Sequence, residues 1–159
     1  MPPPTHRHVL VLGFGNPARG DDGAGPAVLR SLAQHRLPTA VELLEAHQLL
    51  PEFAERFATA SLVVLVDADA RRPAGLISRF RVRPATTRDG GHRWTAATLA
   101  ALAVEMSGHC APIVAYTVGG VDFAATAPWE LTLSPAVADA VERVAQRISR
   151  LLRRHLELS

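Results

Sequence analysis

The run Val9-Leu10-Val11-Leu12 has no polar residue to turn toward water, which marks it as a strand covered on both faces, the signature of a parallel sheet. It passes straight into Gly13-Phe14-Gly15-Asn16-Pro17, and this turn leads to two adjacent carboxylates, Asp21 and Asp22, at a helix start. Glycines at 13, 15 and 20 permit positive φ and close approach of the backbone to a partner. Carboxylate oxygens are hard ligands, suited to a cation rather than to a phosphate. The block therefore predicts a metal site carried on an α/β scaffold.

Further along, Ser61 to Val66 is a second β-branched run, and Val41 to Leu44 reads as a strand between the two. Helical spacing of Val28, Leu29 and Leu32 predicts a helix over Gly25 to Leu37, stopped by Pro38. Another helix is predicted over about Pro51 to Thr59, with Pro51 at its first turn. Leu76 to Val82 alternates apolar and polar residues, as a half-exposed edge strand does, and a polar loop follows from Pro84 to Gly91. Trp94 to Met106 reads as an alanine-rich helix and Pro112 to Val118 as a further buried strand. Ser134-Pro135 then opens a long final helix with serine as N-cap and proline at N1. Alternating strands and helices with right-handed crossovers predict a three-layer α/β/α sandwich with a mostly parallel twisted sheet.

With 159 residues, 48% of them hydrophobic and 20% charged, the chain fits one domain. Residues 1–8 read as a disordered leader and 9–159 as the domain. All 17 cationic side chains are arginine, and they are scattered or set on an amphipathic final helix beside glutamates, which argues against a nucleic-acid surface. Cys110, the single cysteine, excludes an internal disulfide and fits a reducing compartment. No stretch approaches the length of a membrane helix. A cytoplasmic, monomeric protein is the expectation.

In a parallel sheet ligands sit beyond the carboxyl ends of the strands. Asp22 follows the first strand and Asp67 closes the run Leu62 to Val66, so both belong on one rim. Asp67 is costly at such a place without a partner. Asp69 faces the same way in an extended chain and reads as a supporting partner, while Asp21 reads as the helix cap if Asp22 is a ligand. His92, between Gly90-Gly91 and a helix, decides the metal: two carboxylates alone suit magnesium or calcium, and an added imidazole moves the preference to nickel or zinc. His109 and Cys110 precede a parallel strand and fall on the opposite rim. Trp94, Trp129 and Tyr116 read as packing residues.

Gly13-Phe14-Gly15-Asn16-Pro17-Ala18 also fits a relaxed dinucleotide fingerprint, with Glu45 as a ribose ligand, and so allows a small nucleotide-binding oxidoreductase. Asp21 and Asp22 would then stand beside the pyrophosphate, an electrostatic conflict.

The blocks Leu12 to Pro17, Asp21 to Gly25, Val66-Asp67-Ala68, His92 and Leu131 to Pro135, in this order, resemble the hydrogenase maturation endopeptidases. These remove a C-terminal extension from the nickel-loaded large subunit of nickel-iron hydrogenases. The resemblance implies metal contacts at Asp22, Asp67 and His92. It implies that the nickel is supplied by the precursor, with zinc or cadmium able to substitute, and that the partner is that precursor. Many members carry Asp-Gly-Gly-Thr after the second strand where this chain has Glu45-Ala46-His47-Gln48-Leu49, which makes His47 and Gln48 candidates for precursor recognition. A non-catalytic nickel-binding assembly factor would use the same ligands.

Overall fold

The computed structural model describes residues 7–86, 93–124 and 132–157. Strands β1 (Val9–Phe14), β2 (Val41–Ala46), β3 (Leu62–Asp69), β4 (Ile77–Val82) and β5 (Ile113–Gly119) form one sheet in the order β2-β1-β3-β5-β4. The first three and β5 run parallel, and β4 is antiparallel at one edge. Helices α1 (Ala24–Ala33) and α4 (Pro135–Glu157) cover one face; α2 (Phe53–Thr59) and α3 (Ala96–Ser107) cover the other.

The period-2 alternation of a strand divides the apolar runs between the two faces. Val9, Val11, Val64, Val66, Val114 and Val118 pack under α1 and α4. Leu10, Leu12, Val63, Leu65, Ile113 and Ala115 pack under α2 and α3 with the fully buried Phe57. This is the three-layer sandwich that the sequence predicts.

Several boundaries differ from expectation. Helix α1 ends at Ala33 rather than Leu37, because the amides of Gln34 and His35 turn back to Ser31 and Leu32 in a tightened last turn. Pro51 lies in a turn ahead of α2, with the Ala54 amide bonded to its carbonyl. Strand β3 continues past Val66, so Asp67 lies within the ladder opposite Thr117 rather than at its end. Arg7 and His8, counted with the leader, are tied in: Arg7 donates to the Leu156 carbonyl, and the His8 carbonyl accepts from the Ser61 amide. Ser134 and Pro135 do open α4, the Ser134 carbonyl accepting from the amides of Val137 and Ala138.

The chain leaves β1 toward β2 on one side and returns past it to β3 on the other. That reversal between β1 and β3 is the point where a parallel sheet opens a crevice at its carboxyl edge.

Candidate active site

At that crevice a cavity of about 300 Å³ holds Asp22, Asp67, His47 and Gln48. They come from three segments. Asp22 comes from the turn after β1, His47 and Gln48 from the loop after β2, and Asp67 from β3. Convergence of these four at one rim is what the strand assignment predicts.

Asn16 starts the turn: its side-chain oxygen accepts from the Ala18 amide at 3.0 Å, and Pro17 occupies the first helical position. Two short 3-10 turns follow, broken at Arg19 and Gly20, before α1 begins at Ala24. Gly20 (φ +56) and Gly15 (φ +130) take the positive φ anticipated for them; Gly13 does not and is an ordinary strand residue. At Gly15 a Cβ would stand 1.8 Å from the Asp22 carbonyl oxygen, so only glycine lets the turn close on itself. The closed turn aims Asp22 at the cavity, and its Oδ2 accepts from the Asn16 amide at 2.9 Å.

Asp67 lies on the α2/α3 face of β3. Its carboxyl is open to solvent along the cavity while protein surrounds it elsewhere. Burial is the main cause that pushes its pKa up to about 6; the Ala68 amide, donating at 2.8 Å, opposes this, and the charges of Asp22 and Asp69 reinforce it. A carboxylate whose proton affinity is raised by burial, with a second carboxylate beside it in a solvent-open cavity, favours a neutralising partner, a proton or a cation.

The remaining expectations divide. Asp69 shares the face of Asp67 but binds Arg71, through its amide at 2.9 Å and its guanidinium Nε at 3.1 Å, and so is a turn residue and not a support for Asp67. Asp21 does not cap α1, whose N-cap Gly23 has no side-chain hydrogen bond. Instead it is fully buried and accepts from Val121, Asp122 and Ser134. Burial pushes its carboxyl up, but these donors outweigh the effect and hold it below the ordinary range. Cys110 lies ahead of β5 on the opposite rim, and burial raises its thiol to about 11. His92 and Trp129 lie outside the described residues. Among the described residues no three His, Cys, Asp or Glu side chains converge as a metal cluster, so His47 does not complete a set with the two aspartates.

Sequence reasoning missed Arg19 and Arg93, two exposed cations on the cavity wall; Trp94, read as a packing rather than a binding residue, does pack against the α2/α3 core and also borders the cavity. Beside the cavity runs an apolar groove of about 290 Å³ between β4 and the start of α3, with Phe80, Ala115 and Trp94 among its walls. Trp94 and Asp67 border both spaces. Nothing local marks Arg19 except its place inside the glycine-rich block; Arg93 and Trp94 adjoin His92. The dinucleotide reading loses ground, because the Asp22 carboxylate itself takes the Asn16 amide of the turn that would cradle a pyrophosphate.

No family model matches the chain, and no curated protein does. Solved structures match over nearly its whole length. The hydrogenase maturating endopeptidase HybD from E. coli aligns with a TM-score of 0.75 and 22% identity over 92% of this chain and 93% of its own. The nickel-iron hydrogenase maturation protease HycI from Thermococcus kodakarensis gives 0.72 and 21% over 92% and 93%. The hydrogenase 2 maturation peptidase from a Thaumarchaeota archaeon gives 0.68 and 20% over 91% and 97%. The chain has the fold of the hydrogenase maturation proteases. At these identities the likeness is one of architecture, and what the cavity does rests on its own residues. No helix among the described residues is long and apolar enough to cross a membrane.

Proposed function

We propose that this chain is a maturation endopeptidase that removes the C-terminal extension of a nickel-loaded hydrogenase large-subunit precursor. The observation that carries the reading is the pair Asp22 and Asp67, brought from the turn after β1 and from the adjacent strand β3 into one open cavity at the switch point of a fold shared with such proteases. The nickel arrives with the precursor and is substrate rather than resident cofactor. Asp22 and Asp67 offer it anionic oxygens and His92 an imidazole, a borderline donor set that suits nickel and accepts zinc or cadmium. Three protein donors leave coordination positions for the precursor's own ligands. A precursor without nickel lacks that handle and binds poorly, so cleavage waits for metal insertion. His47 and Gln48, exposed on the cavity wall, contact the precursor and contribute to its selection. The chain acts as a monomer in the cytoplasm, with no nucleic-acid or membrane partner.

Co-expression with candidate large subunits, with and without nickel, followed by intact-mass measurement, tests this. The expected result is a mass loss at the precursor's C-terminus only with nickel. Asp22→Asn, Asp67→Asn and His92→Ala should abolish it with circular dichroism unchanged, and His47→Ala should alter which precursor is accepted. Full processing by all three site variants refutes the assignment. Stable binding of loaded precursor without mass loss would instead favour a non-catalytic assembly factor, which the lack of a Ser-His-Asp or Cys-His arrangement among the described residues of the cavity also allows.

A further inference from the structure

Asp21 and Asp22 are neighbours in sequence and point opposite ways. Asp22 faces the cavity. Asp21 is fully buried, and its carboxylate gathers four donors from two distant segments. Its Oδ1 accepts from the Ser134 amide at 2.8 Å. Its Oδ2 accepts from the amides of Val121 at 2.9 Å and Asp122 at 3.0 Å and from the Ser134 hydroxyl at 2.8 Å. Its own amide donates to the Asp122 carbonyl at 2.7 Å. Gly20, at φ +56, brings the chain so close that a Cβ there would lie 2.5 Å from that same carbonyl.

Val121 and Asp122 follow β5, and Ser134 precedes α4. One carboxylate therefore closes the base of the β5–α4 connection and clamps it to the turn that carries Asp22. On its other side the turn is held by Gly15, packed under the Asp22 carbonyl. Space alone does not call for aspartate here. Four donors converging on two oxygens require a group that only accepts, and an amide of the same size presents two N–H bonds to some of them.

We propose that Asp21 is a positioning residue: through its bonds to Val121, Asp122 and Ser134 it fixes the direction of the Asp22 carboxylate in the cavity. Its effect on nickel rests on the function proposed above; its effect on the pose of Asp22 does not.

The Asn16 amide, bonded to Asp22 Oδ2, reports that pose without any metal. In the full chain, Asp21→Asn should speed hydrogen exchange at the Asn16 amide by about tenfold while the amides of Val11 and Leu12 in β1 keep their protection. The same variant should weaken binding of nickel ion alone by about tenfold, the usual size of losing a group that orients a ligand. Ser134→Ala removes one donor of four and should weaken nickel by about threefold, the worth of one ordinary hydrogen bond. A merely structural Asp21 would lower the urea midpoint and leave Asn16 exchange and nickel affinity at wild-type values, and that result overturns the proposal. If Asp21→Asn does not fold, Ser134→Ala decides: unchanged Asn16 exchange overturns the proposal, and faster exchange supports it. Wild-type protein that binds no nickel would sink the proposed function, while the exchange measurement would still decide the role of Asp21.

Discussion

Replacing Asp67 with asparagine should make the metal-free protein more stable at neutral pH even as it removes a group on which the proposed activity depends. The Asp67 carboxyl titrates at about 6 against an ordinary 3.8, with burial the main cause and the charges of Asp22 and Asp69 adding to it. A pKa raised on folding means that the folded chain holds the proton more tightly than the unfolded one. The resulting stability is fully present below about pH 3.8 and is lost as pH rises through about 6. At neutral pH the folded state therefore carries the whole cost of the ionised carboxylate. The difference between 3.8 and about 6 sets an upper bound of about 3 kcal/mol. Asp67 is open to solvent along the cavity, and screening there reduces the figure to about 1 kcal/mol. Asparagine keeps an oxygen for the Ala68 amide, so no new orphan donor offsets the gain.

Urea denaturation in the presence of a chelator should show Asp67→Asn more stable by about 1 kcal/mol near pH 7.5, with Tm higher by about 2–4 °C. The difference should shrink near pH 5 and vanish only well below pH 3.8, where the wild-type carboxyl is neutral in the folded and the unfolded chain alike. A variant less stable than wild type at neutral pH, or a difference that does not change with pH, refutes the reasoning.

Two further outcomes follow from the backbone and from the cysteine. Gly15→Ala has no room for its methyl group beside the Asp22 carbonyl and should abolish nickel binding. Gly108→Ala, also at positive φ but with nothing within 4 Å, should cost only about 1 kcal/mol in a urea titration and leave binding intact. Equal nickel affinities in the two variants would show that closure of the turn on Gly15 does not aim Asp22. Cys110, with its thiol raised to about 11, should resist iodoacetamide near pH 8 in the folded protein and react once the protein is unfolded. Rapid alkylation of the native chain would contradict the burial on its rim.

What could be read from the residues alone was local. Val9 to Leu12 and Leu62 to Val66 have no polar face to offer water, so buried parallel strands follow wherever the chain goes afterwards. That assignment carries the layer architecture, and it places Asp22, Asp67, His47 and Gln48 at one rim. The division of labour between Asp21 and Asp22 was not legible. Either can cap a helix or bind a cation, and the difference lies in Val121, Asp122 and Ser134, about a hundred positions away. Asp69 was misread for a similar reason, since alternation predicts its face but not the arginine two residues on that bends back to take it. Strand order, and with it the crevice between β1 and β3, is equally a property of the assembled sheet. Periodicity and burial are written into neighbouring residues, whereas hydrogen bonds between distant segments exist only once the chain has folded and brought them within reach.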